Sequence, residues 1–327
     1  MRGGIIGCGY FAQFHLEAWR RLPDAEIVAA ADPDLIRARQ AAPHAYASAE
    51  EMFDREQLDF VDVAARPETH LSVVRLAAER RVPVICQKPM ASSWSDAVAM
   101  VEAAAATSTP FMIHENWRWQ PWYRVAHARL AQGDIGRPVS YALRTRKADG
   151  AGPEPYSHQP YFRQMPRMLI HETLVHHIDT ARFLFGDVVS VFAQIRRVNP
   201  VIAGEDRALL ILGHRPELIG VIDGHRFQDP IPDGPAMGEA LFEGESGTLW
   251  ISPAGDVFRN GYRIWVNDIG QGYKGDSVYS TQRHFLTRLM EGRTFETSGS
   301  DYLKTFAVVE AAYQSAEERR MVQLAST

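Results

Sequence analysis

The stretch Gly4-Ile5-Ile6-Gly7-Cys8-Gly9-Tyr10-Phe11-Ala12 decides the fold. Residues 4–6 read as a short apolar strand, and a helix is expected from about Phe11 to Arg21. Gly7 permits the tight turn between them, Gly9 lets backbone approach a pyrophosphate, and Ala12 is small enough for helix–strand contact. Phosphates would meet the helix at its N-terminus, where unpaired N–H groups and the positive end of the dipole point at them. Tyr10 and Phe11 lie in the same turn, and Cys8 reads as a small filler there. Asp32 stands 20 residues beyond Ala12, at the end of a second strand. A carboxylate in that place accepts a ribose hydroxyl and repels a 2′-phosphate, so NAD is favoured over NADP. Arg37 and Arg39 nearby temper that preference. The alternative is an ordinary helix start, with Asp32 a turn former before Pro33.

Further apolar runs follow at residues 27–31, 60–65, 82–86 and 111–114, with helical spacing between them at 71–80 and 95–106. Continuous apolar strands alternating with helices imply a parallel sheet covered on both faces. The expected fold class is α/β, an N-terminal Rossmann-type doubly wound sheet over residues 1–120. After Pro121 the pattern changes. A helix from Tyr123 to Gln132 ends at Gly133, and alternating segments follow at 139–146, 188–197, 207–212, 218–226 and 248–252. These predict a second α/β domain, 121–327, on a large and mainly antiparallel sheet. Its exposed face suits a homodimer or homotetramer. The last helix, Tyr302 to Arg320, can pack back on the first domain. Residues 150–168 hold four prolines and read as a loop, a length that is usually functional.

Bulk composition narrows the function classes. With 46% hydrophobic and 23% charged residues and a net charge of −5, the chain has no basic field for nucleic acid or an anionic membrane. It lacks an apolar run of the roughly 20 residues that span a bilayer. The first apolar segment already reads as a strand, which argues against a signal peptide. Two cysteines, Cys8 and Cys86, suit a reducing cytoplasm.

The fourth apolar run ends in Cys86-Gln87-Lys88-Pro89. Ligands of open parallel sheets bind at the carboxyl ends of the strands, where a lysine can orient a hydroxyl and relay its proton. A solvated strand-end charge is the plainer alternative for Lys88. A second cluster is His171, Glu172, His176, His177 and Asp179. On a helix, Glu172 and His176 share a face, as do His176 and Asp179. A carboxylate could then hold His176 while its other ring nitrogen reaches a substrate; an imidazole, with an unperturbed pKa of about 6.5, suits a general base. A zinc site is the rival, but His-Glu-x-x-His is broken by Val175, so no metal is expected. Asn116 and Arg118 near the junction are either substrate ligands or a pin for the linker, with Trp117, Trp119 and Trp122 as core. Tyr161, Arg163 and His158 lie in the proline-rich loop, where they could hydrogen-bond a polyol.

Taken in order, these segments resemble the glucose–fructose oxidoreductase/inositol dehydrogenase/MocA (Gfo/Idh/MocA) family over nearly the whole chain. The glycine loop, Ala65-Arg66-Pro67-Glu68-Thr69-His70, Gln87-Lys88-Pro89 and Asn116-Trp117-Arg118-Trp119 all match its pattern. So do Gly133-Asp134-Ile135-Gly136, Glu172 through Asp179, and Ser298 to Tyr313. The resemblance implies an NAD-dependent dehydrogenase of a sugar or polyol hydroxyl, and the histidine segment is similar to pentose-type members, including apiose dehydrogenases. It implies that Lys88 contacts the reacting hydroxyl, that His176 is the catalytic base, and that Glu172 binds substrate or orients the base. It also implies that Ala65, Arg66, Pro67, His70, Gln87 and Lys88 line the cofactor site, and that the bond before Pro89 is cis. Some relatives are NAD-dependent glycosidases or non-catalytic sensors; loss of the lysine or histidine would mark a sensor, and both are present. Three departures stand out. Gln87 replaces a glutamate, Glu172 an aspartate, and Leu174 a glycine.

Overall fold

β1 (Arg2–Ile6) ends at Gly7, whose φ is +87° and whose added Cβ would lie 2.5 Å from the Ala65 backbone. That close approach draws β4 (Phe60–Val63) alongside β1 and fixes the centre of a parallel sheet. The computed structural model describes residues 1–231, 234–268 and 275–324. The chain forms two compact units, Met1–Asn116 with Lys274–Leu303, and Trp117–Tyr273 with Lys304–Thr327.

In the first unit β1 is followed by α1 (Ala12–Arg20), β2 (Glu26–Ala31), α2 (Leu35–Ala41), β3 (His44–Tyr46) and α3 (Ala49–Arg55). After β4 come α4 (Pro67–Glu79), β5 (Val84–Gln87), α5 (Trp94–Ala106) and β6 (Phe111–His114). The sheet order is β3-β2-β1-β4-β5-β6, all parallel, so the expected doubly wound fold is present. Order reverses between β1 and β4, which opens the ligand crevice at their carboxyl ends. β3, α2 and α3 escape the apolar pattern because they are short, yet α2 and α3 carry clear starts. Asp34 accepts from the Ile36 N–H, and Ser48 from the Glu51 N–H.

The second unit opens with a 3-10 turn (Trp117–Trp119) and α6 (Pro121–Ala131). β7 (Pro138–Arg146) follows, and a π-helical segment (Leu169–Leu174) runs into α7 (Val175–Phe185). Strands β8 (Val188–Arg196), β9 (Arg207–His214), β10 (Ile219–His225), β11 (Gly238–Gly244), β12 (Gly247–Ile251), β13 (Val257–Arg259) and β14 (Tyr262–Trp265) come next. α8 (Asp276–Met290), α9 (Gly299–Glu318) and β15 (Val322–Gln323) complete the order. The sheet runs β14-β13-β12-β11-β7-β10-β9-β8-β15; β7 and β10 are parallel and every other neighbouring pair is antiparallel. This is the mainly antiparallel sheet expected from the alternation.

A single cut near residue 120 misses one feature. α8 belongs to the first unit, because Phe285 and Leu286 complete a core with Trp19, Phe60, Ile85, Met112 and Phe295. Arg21 and Asp276 join α1 to α8 at 2.6 Å.

Two fully buried histidines in this unit make stability pH-dependent. Burial pushes the pKa of His114 down to about 3, and that of His70 down as well. From the unfolded value of 6.5 to about 3, the unfolded chain binds protons that the folded chain refuses. Stability is therefore full above that unfolded value and is lost as pH falls, by about 2 kcal/mol at about pH 5 for His114 alone. The urea midpoint should drop over this range, and less steeply in His114→Phe. A wild-type midpoint that stays flat would contradict the account.

Candidate active site

The glycine loop has the local structure a dinucleotide needs. Ala12 is buried against Ile5, Ala30, Ala38 and Ala42, so the small third position brings α1 onto the sheet. A Cβ at exposed Gly9 would meet no atom within 4 Å. No protein atom therefore requires a glycine there; the space fits an approaching pyrophosphate. No side chain caps the start of α1, unlike α2, α3 and α5. Asp32 ties the loop to β2, accepting from the Cys8 N–H at 2.7 Å and the Asp34 N–H at 2.8 Å. Each oxygen keeps further lone pairs for ribose hydroxyls. Burial and the Asp32 charge push the Cys8 thiol up to about 12, so it is inert filler. Arg37 pairs with Asp34 at 3.2 Å. Tyr10 and Phe11 pack their rings on Phe14 at 5.7 and 5.3 Å, which stiffens the turn.

The second rim of the crevice follows β4. Ala65 and Pro67 are half-buried and Arg66 is exposed, with Pro67 opening α4. His70 departs from its expected role. Its ring is fully buried between the carbonyls of Ala65 (3.1 Å) and Met90 (3.0 Å), so it ties two strand-end loops together beneath the surface. Gln87 departs likewise: its side chain turns inward, taking the Lys88 N–H at 2.7 Å and meeting His15 at 2.9 Å. Lys88 itself is half-buried at the end of β5, and the bond to Pro89 is cis, as expected. Asn116 is also withdrawn, donating to Ser277 on α8 at 3.0 Å.

In the second unit His176 lies in the first turn of α7, with the Trp117 ring stacked on it at 4.8 Å and 23°. Trp117, read from sequence only as core, thus fixes the plane of the histidine. His177 is buried and bonds the Thr145 hydroxyl at 2.5 Å. Arg118 is tied to Asp179 by two bonds of 2.7 Å, and Thr305 adds a third at 3.1 Å. Arg118 is thus buried, with Asp179 as its counter-charge. Glu172 falls in the π-helical segment, not on a regular helix with His176, so simple four-residue spacing does not describe the pair. Its carboxylate accepts from Thr173 at 2.7 Å and from Arg226 at 3.3 Å.

Arg226 went unnoticed in the sequence. It grips Asp149, with one bond of 2.9 Å, and lies under the Tyr156 and Phe162 rings. It thereby anchors the proline-rich loop beside Glu172. Arg163 bonds the Pro155 carbonyl at 2.7 Å and Glu154 at 3.2 Å, closing that loop on itself. Tyr161 is half-buried and accepts from Gln159 at 3.2 Å.

Residues 1–115 match the family model described as oxidoreductase family, NAD-binding Rossmann fold, and residues 123–234 match the GFO/IDH/MocA C-terminal domain. The chain belongs to the Gfo/Idh/MocA oxidoreductase family. Among relatives within it, a D-apiose dehydrogenase of Paraburkholderia graminis is 38% identical, covering 99% of this chain and 90% of its own length. A D-apiose dehydrogenase of Rhizobium rhizogenes is 34% identical, over 99% and 97%. An Agrobacterium radiobacter oxidoreductase, solved with NAD+, L-tartaric acid and magnesium, superposes with a TM-score of 0.89 at 34% identity, over 99% and 98%.

Membership makes the first unit an NAD-binding Rossmann domain, and the room at Gly9, the uncapped α1 and the tethered Asp32 fit that cofactor. It also gives one departure a physical reading. Leu174, where the family pattern has glycine, is fully buried and points at Gly224 of β10, where an added Cβ would meet it at 2.6 Å. The larger side chain is accommodated by a glycine on the sheet.

Proposed function

We propose that this protein is an NAD-dependent dehydrogenase of a sugar or polyol hydroxyl, with D-apiose or a similar pentose as substrate. The observation that carries this reading is the 38% identity to a D-apiose dehydrogenase across 99% of the chain. It is supported by Lys88 at the carboxyl end of β5 and by His176 braced against Trp117. When bound, NAD supplies the acceptor for the hydride leaving the carbinol carbon. Lys88 orients the oxygen and stabilises charge developing on it, and a ring nitrogen of His176 takes the hydroxyl proton. Trp117 holds that ring in plane. Glu172, held in place beside Arg226, contributes a substrate hydrogen bond. Tyr161 and Arg163 fall on the loop that Arg226 anchors, and their contact with substrate belongs to the same proposal.

The test is NADH formation with NAD and a panel of D-apiose, other pentoses, hexoses, polyols and inositols. D-Apiose or a close pentose should give the highest kcat/KM. Cleavage of a nitrophenyl glycoside without NADH from any sugar would replace this reading with the glycosidase one.

Asp32 is proposed to set the cofactor preference. Losing a hydrogen bond to a charged group weakens binding by about tenfold or more, so Asp32→Ala should raise the KM for NAD and lower that for NADP. A collapsed loop would weaken both, and that outcome would contradict the assignment.

Assembly and location are part of the same proposal. Phe192, Leu209, Ile211, Val221, Leu241 and Trp250 are half-buried along one face of the large sheet, which suits a homodimer or homotetramer formed through it. A sedimentation mass of one chain would remove that part. No described helix is long and apolar enough to cross a membrane. Cys8 and Cys86 are both free thiols, in keeping with a cytoplasmic enzyme.

A further inference from the structure

Beneath Lys88 lies a chain of buried polar side chains that the reaction as described does not use. Gln87 accepts the Lys88 N–H through Oε1 at 2.7 Å. That bond fixes the amide, because the flipped form would set two donors face to face. Its Nε2 then donates to His15 Nε2 at 2.9 Å, which must be an unprotonated acceptor. The proton of His15 is left on Nδ1, facing Asp62 Oδ2 at 2.8 Å. The same oxygen accepts from Trp19 Nε1 at 2.7 Å and from Gln282 Nε2 at 3.3 Å. His15 and Asp62 are fully buried, and Gln87 is 6% exposed. Four elements of the first unit meet here: α1, β4, β5 and α8.

We propose that Asp62, His15 and Gln87 form a positioning relay that holds the Lys88 peptide from inside the sheet. In it, Gln87 keeps His15 in its neutral, Nδ1-protonated form. The role given to Lys88 rests on the function proposed above; the tautomer does not.

Other titratable groups lie close to this chain of side chains. His114 of β6 stacks on His15 at 4.1 Å and is kept neutral by burial, its pKa pushed down to about 3. The Cys86 thiol of β5 is held well above its usual range by burial. Burial opposes the charge on Asp62, yet His15 foremost, then His114 and the Trp19 hydrogen bond, hold its carboxyl below the usual range. Three donors thus converge on Asp62 Oδ2, while its Oδ1 is buried with no hydrogen-bond partner among the described residues. A glutamate at 87, as in the family pattern, would still accept the Lys88 N–H. Its carboxylate would also face the lone pair of His15 Nε2, and only an added proton there removes the repulsion. The glutamine therefore makes the support of the lysine independent of proton uptake.

The test uses the full chain labelled with 15N-histidine, with His15 assigned from His15→Gln, and kinetics with NAD and D-apiose. Wild type should show one pyrrole-type and one pyridine-type nitrogen for His15, with the proton on Nδ1. In Gln87→Glu both nitrogens should become protonated. Displacing a reacting group slightly costs up to about a hundredfold, so kcat should fall by about tenfold and gain a pH dependence, with the Kd for NAD within about twofold. A wild-type His15 protonated on Nε2 or on both nitrogens overturns the relay, even if the variant fails to fold. So does a Gln87→Glu spectrum and kcat identical to wild type. The expected spectra with no NADH from any sugar would uphold the relay and reject the function assigned to Lys88.

Discussion

Lys88→Met should bind NAD normally and turn D-apiose over roughly 10³-fold more slowly, within the range lost when an acid–base or charge-stabilising group is removed. Methionine keeps an unbranched stem at the end of β5 and removes only the ammonium. The side chain of Gln87 points inward to His15 and takes the Lys88 backbone N–H, so nothing in that buried chain depends on the lysine amine. Binding of NAD, measured by titration, should stay within about twofold, because Gly9, Asp32 and the start of α1 are untouched. Undiminished kcat would show that Lys88 is a solvated strand-end charge.

The second large effect is at His176. His176→Phe keeps a ring to stack on Trp117 and removes the base; His176→Ala removes both. Each should lower kcat by about 10²–10³ at neutral pH. Residual activity of the phenylalanine variant should keep climbing as hydroxide replaces the missing base, whereas the wild-type profile levels off. A structural defect would lower activity without changing the profile's shape. Matching profiles for wild type and variant would contradict the assignment of the base.

These two residues were legible in the sequence because each sits in a short contiguous pattern. The glycine loop, Asp32 and Lys88-Pro89 are legible for the same reason: a strand end, a turn and the next helix start lie within a few residues. What escaped the sequence is what depends on distant partners. Asp62 sits in the run Phe60-Val61-Asp62-Val63 and reads as part of a buried strand; only the fold shows its carboxylate receiving His15, Trp19 and Gln282. Gln87 and His70 occupy the right segments for cofactor contact, but their side chains point into the protein. Arg118 reads in the sequence as either ligand or pin, and only the fold shows Asp179, 61 residues away, as its ion-pair partner. Arg226 carries no local signature at all; its meaning comes from Asp149 and Glu172 meeting it across the sheet. Trp117 reads as core by hydrophobicity, and only its stacking on His176 reveals a second role.

The central claim is transfer of hydrogen from a sugar carbon to NAD. The most direct measurement uses D-apiose deuterated at its carbinol carbons, with the products followed by mass spectrometry. This account expects deuterium in the nicotinamide ring, one per NADH formed, with an oxidised sugar in equal amount. Deuterium-free cofactor and no net NADH, with the sugar unchanged or merely hydrolysed, would contradict it.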